Sequence, residues 1–285
     1  STCLLCGACA TACYAHVPTA DIVLEGRRMI GGKAPLFVKI LSWALIARPR
    51  WLEAALKTAY FFKRVGLSSL ASRLGLLKLL GLKGLEAADA HVSEAPSEFL
   101  SEILRRRPAG QAPQWTYFAA CGSNYLYPRV GLATDKALTA LRGEGRFMDN
   151  SCCGLLAYNY GDIADSRALA RKNIKLFEAQ GAKAPVVADC SSCAAFLKSY
   201  PQLFLEDPDW RTRAEAFSRA VKDAVEVLGD AAPSLAQLEE SKTVTYHDSC
   251  RARHGQGLFS QPRLVLRQVG GDCYQELREA DVCCG

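Results

Sequence analysis

No run of about twenty uninterrupted apolar residues occurs in this chain, so no segment reads as a single membrane-spanning helix. The chain has neither a starting Met nor a recognisable signal peptide. It lacks a G-x-G-x-x-G turn after a strand, the fingerprint of a bound dinucleotide. No nucleic-acid-binding motif is present, and nucleic acid is not an expected partner. Acidic residues are nearly missing from one long stretch: between Ile22 and Gly84, twelve Lys/Arg stand against only Glu25 and Glu53. That basic excess lies on apolar, helix-forming sequence, which points to an anionic membrane surface or an acidic partner.

What is abundant is cysteine, with 13 residues. Twelve fall into ordered sets: Cys3, Cys6, Cys9 and Cys13; then Cys121, Cys152, Cys153, Cys190 and Cys193; then Cys250, Cys283 and Cys284. Cys273 alone is left over and reads as a small buried apolar residue. Disulfides fit poorly, because vicinal Cys152-Cys153 and Cys283-Cys284 suit neither bridge geometry nor the short secreted scaffolds that depend on bridges. Clustered thiols at short spacing instead point to metal. The remainder of the composition, 49% apolar and 22% charged over 285 residues, allows a globular chain of about two domains.

The N-terminal spacing C-x-x-C-x-x-C-x-x-x-C suits soft thiolate ligation of iron–sulfur clusters. It places Cys3, Cys6 and Cys9 on three corners of one [4Fe-4S] cube. In two-cluster ferredoxins the fourth cysteine, here Cys13, reaches the other cluster. Ferredoxin motifs carry Pro after that last cysteine; here Tyr14 follows, with Pro18 a turn later. The alternative is a zinc knuckle, which usually pairs C-x-x-C units across a longer loop.

Beyond this loop the sequence reads as helical. The runs are Phe37 to Ile46, Trp51 to Phe62 and Leu67 to Leu82, punctuated by Pro49 and Gly66. They form either a small bundle packed on its neighbours or a surface facing a membrane or subunit. A charged, proline-bearing linker from about Ala87 to Pro113 follows. Strands and helices then alternate. Trp115 to Ala120 is a strand ending at Cys121, and Thr134 to Leu141 a helix. A short strand around Arg146-Phe147-Met148 precedes Cys152. Asp162 N-caps a helix from Ala164 to Gln180 that stops at Gly181, and Pro185 to Asp189 is a strand ending at Cys190. This βαβαβ order implies a parallel sheet whose strand C-termini share one edge, so the fold itself gathers the cysteines.

The pattern repeats. Cys121 to Cys152 spans 31 positions and Cys250 to Cys283 spans 33; each follows a strand (Thr243 to His247 in the second case) and each leads to Cys-Cys-Gly. Two copies of one unit imply duplication. By analogy with the first copy, about forty further residues would complete the second, so the chain is expected to be incomplete there and at its N-terminus.

These features resemble a known family. The segments Asn150-Ser151-Cys152-Cys153-Gly154-Leu155-Leu156-Ala157, the helix Ala168 to Glu178 and Tyr246-His247-Asp248-Ser249-Cys250 look like the cysteine-rich CCG domains of heterodisulfide reductase-type proteins. With His254-Gly255-Gln256-Gly257, Gln261-Pro262-Arg263 and Glu279 to Gly285, they are similar to the iron–sulfur subunit of glycolate oxidase and of lactate-utilisation oxidases. The resemblance implies an α/β fold: an N-terminal ferredoxin-like cysteine loop with a helical extension, then duplicated parallel α/β CCG domains. The expected division is 1–20 for the loop, 21–110 for the helical region and linker, 111–235 for the first CCG domain and 236–285 for the second.

The resemblance further implies an electron-transfer subunit that takes electrons from a flavoprotein oxidising a small 2-hydroxy acid and passes them toward a quinone or other carrier. FAD is expected on the partner chain. The expected location is cytoplasmic, peripheral to the inner face of the cell membrane. Carried over residue by residue, the cluster ligands are Cys3, Cys6, Cys9 and Cys13; Cys121, Cys152, Cys153, Cys190 and Cys193; and Cys250, Cys283 and Cys284. In heterodisulfide reductase relatives a full five-cysteine set binds a non-cubane [4Fe-4S] cluster. The middle set here has all five, leaving cubane, non-cubane and zinc open. It also leaves a rival function, a disulfide-type reductase. His247 is a candidate for tuning a nearby cluster or for simply securing its loop. Arg251 and Arg253 flank Cys250 and are candidates for stabilising a reduced cluster.

Overall fold

A computed structural model of the chain describes residues 3–30, 36–47, 49–67, 95–107, 113–181, 183–238 and 242–282. Cys283 and Cys284, and residues 68–82 of the third expected helical run, lie outside them.

The cysteine loop folds into a short helix α1 (Ala8–Ala12), entered through Gly7 at φ 85°, and leads to α2 (Thr19–Met29). Helices α3 (Leu36–Ala47) and α4 (Pro49–Arg64) match the first two expected runs, with Pro49 at the start of α4, where the missing N–H costs least. The segment expected as a plain linker holds regular structure within its described residues. It contains α5 (Leu100–Arg105), and Phe99, Leu100 and Leu104 are buried. The i, i+4 pair Leu100/Leu104 gives this short helix one apolar face, which the charged residues around it conceal in the sequence.

The centre is a four-stranded parallel sheet of β1 (Trp115–Phe118), β2 (Gly145–Phe147), β3 (Val186–Ala188) and β4 (Val221–Asp223), in the order β2-β1-β3-β4. Between β1 and β2 run α6 (Cys121–Tyr125) and α7 (Pro128–Arg142). The latter begins six residues before the expected Thr134, because Pro128 sits at N1, a starting position rather than a breaking one. Between β2 and β3 run α8 (Leu155–Asn159) and α9 (Ile163–Ala179). Asp162 caps α9 as expected, accepting from the Asp165 N–H at 3.1 Å. Between β3 and β4 lie α10 (Ser191–Lys198), a 3-10 turn (Tyr200–Phe204) and α11 (Pro208–Ala220). Beyond β4 comes α12 (Ala224–Asp230). The fourth strand has no counterpart in the sequence reading, since Val-Lys-Asp carries no pattern that separates it from a helix end.

Both faces of the sheet are covered, as a parallel sheet requires. Period-two alternation sends Phe118, Val186, Ala188 and Val221 to one side, against Ala170 and Ile174 of α9 and Phe217 of α11. Trp115, Tyr117 and Val187 go to the other, against Leu100, Leu138 of α7 and Val227 of α12. The chain moves from β1 to β2 in one direction and from β2 to β3 in the other. Right-handed crossovers therefore place α7 and α9 on opposite faces and open a crevice at the β1/β3 switch point.

The second unit starts with α13 (Cys250–Gln256), packed on α10, and α14 (Ser260–Gly270), packed on α12. The strand expected at Thr243 to His247 is reduced to one parallel bridge, Val244 to Tyr274. A strand persists only where a neighbour continues its ladder, and among the described residues none does so here.

Candidate metal centre

The strand ends that carry the cysteines are held together by buried polar side chains. The Asp189 carboxylate accepts from the Tyr117 hydroxyl at 2.6 Å and from the Ala120 N–H at 3.1 Å, tying the end of β3 to that of β1. Asn150 accepts from the Ala119 N–H and donates to the Ala119 carbonyl, both at 2.9 Å, tying the loop after β2 to β1. Asn173, fully buried on α9, accepts from the Ser151 N–H and donates to the Cys152 carbonyl, both at 3.0 Å. The Tyr200 hydroxyl donates to the Cys153 carbonyl at 2.7 Å. Gly154, directly after the cysteine pair, adopts φ 92°. None of these four polar residues was picked out as functional from the sequence. Only Asp189 carried a local signal, standing directly before Cys190 at the end of an apolar strand.

These clamps bring all five cysteines of the middle set into contact. Neighbouring thiols touch in the order Cys121, Cys152, Cys153, Cys193, Cys190, and the charge of Cys190 also reaches Cys121. Cys153 and Cys193 are buried, the others partly or more exposed. The Cys153 thiol is lowered, first by the bond from Cys152 and then by the bond from Cys193. Cys190 falls to about 6 through the Cys193 thiol, helped against burial by the Cys193 and Ser192 amides at the start of α10. The donors move the other way: Cys193 rises because it gives its proton to Cys153 and Cys190, and Cys121 because it gives its own to Cys152. Cys152 is raised to about 12; the bond from Cys121 lowers it, but its own bond to Cys153 and burial outweigh that.

Among the described residues no three His, Cys, Asp or Glu side chains converge on a point as a single ion would require. The five sulfurs form an arc. Soft thiolates in this number suit the iron of an iron–sulfur cluster.

The first set sits close by. The Leu5 N–H donates to the Cys3 sulfur at 3.4 Å, and the Cys13 thiol is lowered by amides at Val17 and Ala15. Arg27 anchors the loop by donating to the Cys3 carbonyl at 2.6 Å and to the Asn159 carbonyl. Arg251 donates to the Leu4 carbonyl at 2.7 Å, and α1 packs on α13. Burial lowers the Arg251 pKa, while the charges of Cys6, Cys250, Tyr158 and Cys153 oppose that shift. One guanidinium thus lies within electrostatic reach of all three cysteine sets.

Arg253 pairs with Asp248 at 2.6 Å and Asp281 at 3.1 Å. His247 contacts the Val282 carbonyl at 2.8 Å and secures the loop that leads to Cys283. Cys273 is half-exposed in a 3-10 turn, not the buried residue expected; its segment lies at the edge of the packed structure.

Among the described residues no helix is long and apolar enough to cross a membrane. Residues 115–198 and 244–285 match the cysteine-rich CCG domain family. The chain is 29% identical, over its whole length and 66% of the relative's, to a protein of Bacillus subtilis named probable glycolate oxidase iron-sulfur subunit. It is 33% identical to lactate utilization protein A of an Exiguobacterium species, over 61% of this chain and 71% of that one. With lactate utilization protein A of Bacillus licheniformis it shares 32% identity over 59% and 70% of the two chains. No solved structure matches. The paired cysteine-rich segments and these relatives place the chain in the family of iron–sulfur subunits that includes those of glycolate oxidase and lactate utilization protein A.

Proposed function

We propose that the chain is the electron-relay subunit of a flavin-dependent 2-hydroxy-acid oxidoreductase of glycolate or D-lactate type. It accepts electrons from a flavoprotein partner and passes them toward a quinone. The observation that carries this reading is that Cys6, Cys153 and Cys250, one from each set, lie within electrostatic reach of Arg251, because a relay needs its stations close together. Cys3, Cys6, Cys9 and Cys13 would hold a ferredoxin-type [4Fe-4S] cluster. Cys121, Cys152, Cys153, Cys190 and Cys193 would hold a second centre, and Cys250, Cys283 and Cys284 belong to a third. The bound clusters supply one-electron redox chemistry.

The chain's own residues do the positioning. Asp189, Asn150 and Asn173 hold the strand ends in register, and Arg27 and Arg251 fix the N-terminal loop. A cytoplasmic location at the membrane's inner face fits the exposed Trp43, Trp51 and Phe61 of α3 and α4.

The test is anaerobic purification with iron, sulfide and zinc analysis, EPR, and reduction by the flavoprotein plus its hydroxy acid. Stoichiometric iron with EPR signals that appear on reduction supports relay; zinc without iron overturns it. A second reading, a disulfide-type reductase, is favoured by the intact five-thiol arc. Turnover of a disulfide by the isolated subunit would establish that reading instead.

A further inference from the structure

A cavity of about 370 Å³ opens beside the middle cysteine set, between the α3–α4 elbow, α5 and the loops after β1 and β2. Its size suits one small organic molecule. Cys121 and Cys152, one end of the thiol arc, stand in its wall. So do hydrogen-bond donors with nothing to bond. The Ser101 hydroxyl is buried, the residue only 2% exposed, and has no partner among the described residues. Lys172 is half-buried and Arg50 exposed, and neither has an ion pair among the described residues. Arg105, by contrast, is neutralised by Asp149 at 2.8 Å and Glu53 at 3.3 Å.

A buried hydroxyl without a partner is rare, and one in a cavity wall points to a ligand oxygen. The wall also carries apolar surface from Leu45, Leu176 and the ring of Tyr125, alongside Asn124, Asn150 and the Glu53 and Asp149 carboxylates that pair with Arg105. A molecule that suits these surfaces has a flat apolar body and carbonyl oxygens that accept hydrogen bonds. We propose that this cavity binds the headgroup of a quinone, its carbonyl oxygens facing Ser101 and Lys172. Trp43 on α3 and Trp51 on α4, the helices that supply Leu45, Arg50 and Glu53 to the wall, are both exposed apolar side chains. The inference rests on the relay reading and assigns that relay a place to hand over.

The test uses the anaerobically purified, iron-loaded protein and ubiquinone-1, with binding measured by calorimetry. Wild type binds. Ser101→Ala and Lys172→Gln each weaken binding about tenfold, as loss of one hydrogen bond predicts. Arg50→Gln, at an exposed position where folding is not at stake, weakens it about threefold. Unchanged affinity in all three variants, or no binding by wild type, overturns the proposal. So does displacement of ubiquinone-1 by millimolar glycolate or D-lactate, which would make the cavity a carboxylate site. Iron content and EPR on the same samples separate the two readings: iron-loaded protein that ignores ubiquinone-1 leaves relay standing, and iron-free protein removes both.

Discussion

Arg251 donates a 2.7 Å hydrogen bond to the carbonyl of Leu4, across 247 positions of sequence. The same side chain reaches Asn159 Oδ1 at 3.4 Å, so the second cysteine-rich unit, the N-terminal loop and the end of α8 meet at one cation. A half-buried positive charge among thiolates favours whichever state of a cluster carries more negative charge.

Arg251→Met is therefore expected to lower at least one midpoint potential by roughly 50 mV, the scale of a single nearby charge at an effective dielectric near 20. Arg251→Lys should recover more than half of that. Potentiometric titration followed by EPR reads the shift. A purely structural role would change thermal stability and leave the potential alone.

Cysteine replacement should divide by set. Cys153→Ser is expected to remove about four irons per chain, one cluster's complement, whereas Cys273→Ser should leave iron content unchanged. Iron and sulfide analysis on anaerobic protein checks both.

Asn173→Leu keeps the volume but strands the Ser151 N–H and the Cys152 carbonyl inside the core. The expected loss is about 3 kcal/mol, read as a lower urea midpoint. Asp189→Ala should cost about 2 kcal/mol by releasing Tyr117 and the Ala120 amide.

Gly154→Ala places a side chain at φ 92°, with its Cβ 3.4 Å from Ser166 backbone atoms. A loss of about 1–2 kcal/mol is expected, with iron content lowered because Cys153 and Cys152 move with the turn.

Glu226 anchors α12 through Lys198 at 2.8 Å and through Lys222. Burial alone would raise its carboxyl, but the two ammonium groups hold it below the ordinary value of 4.5. Its contribution is thus complete above that ordinary value and disappears as pH falls through the lower folded one. Glu226→Gln should cost about 1 kcal/mol at neutral pH and nothing in strong acid, as measured by urea unfolding across pH.

Much of the architecture was legible because it rests on local signals. Asp162 before an apolar periodicity announces α9, and the short apolar runs before Cys121 and Cys190 announce β1 and β3. β4 and α5 were not legible, since three residues and six residues are too few for periodicity to speak. The strand at Thr243 to His247 was overestimated because strand propensity does not supply a neighbour. Asp189 and Asn173 looked like ordinary polar residues until their partners, 72 and 22 positions away, were in place.

The sequence by itself determined the sulfur inventory, the grouping of cysteines into three sets and the alternation that makes a parallel sheet. These follow from spacing and from the pattern of apolar residues along a short stretch. Only the tertiary structure decided which thiols touch, that Arg251 stands among them, and that unpaired donors line a cavity beside Cys121. Those outcomes depend on the strand order β2-β1-β3-β4 and on polar partners brought together through space, neither of which is written in local spacing.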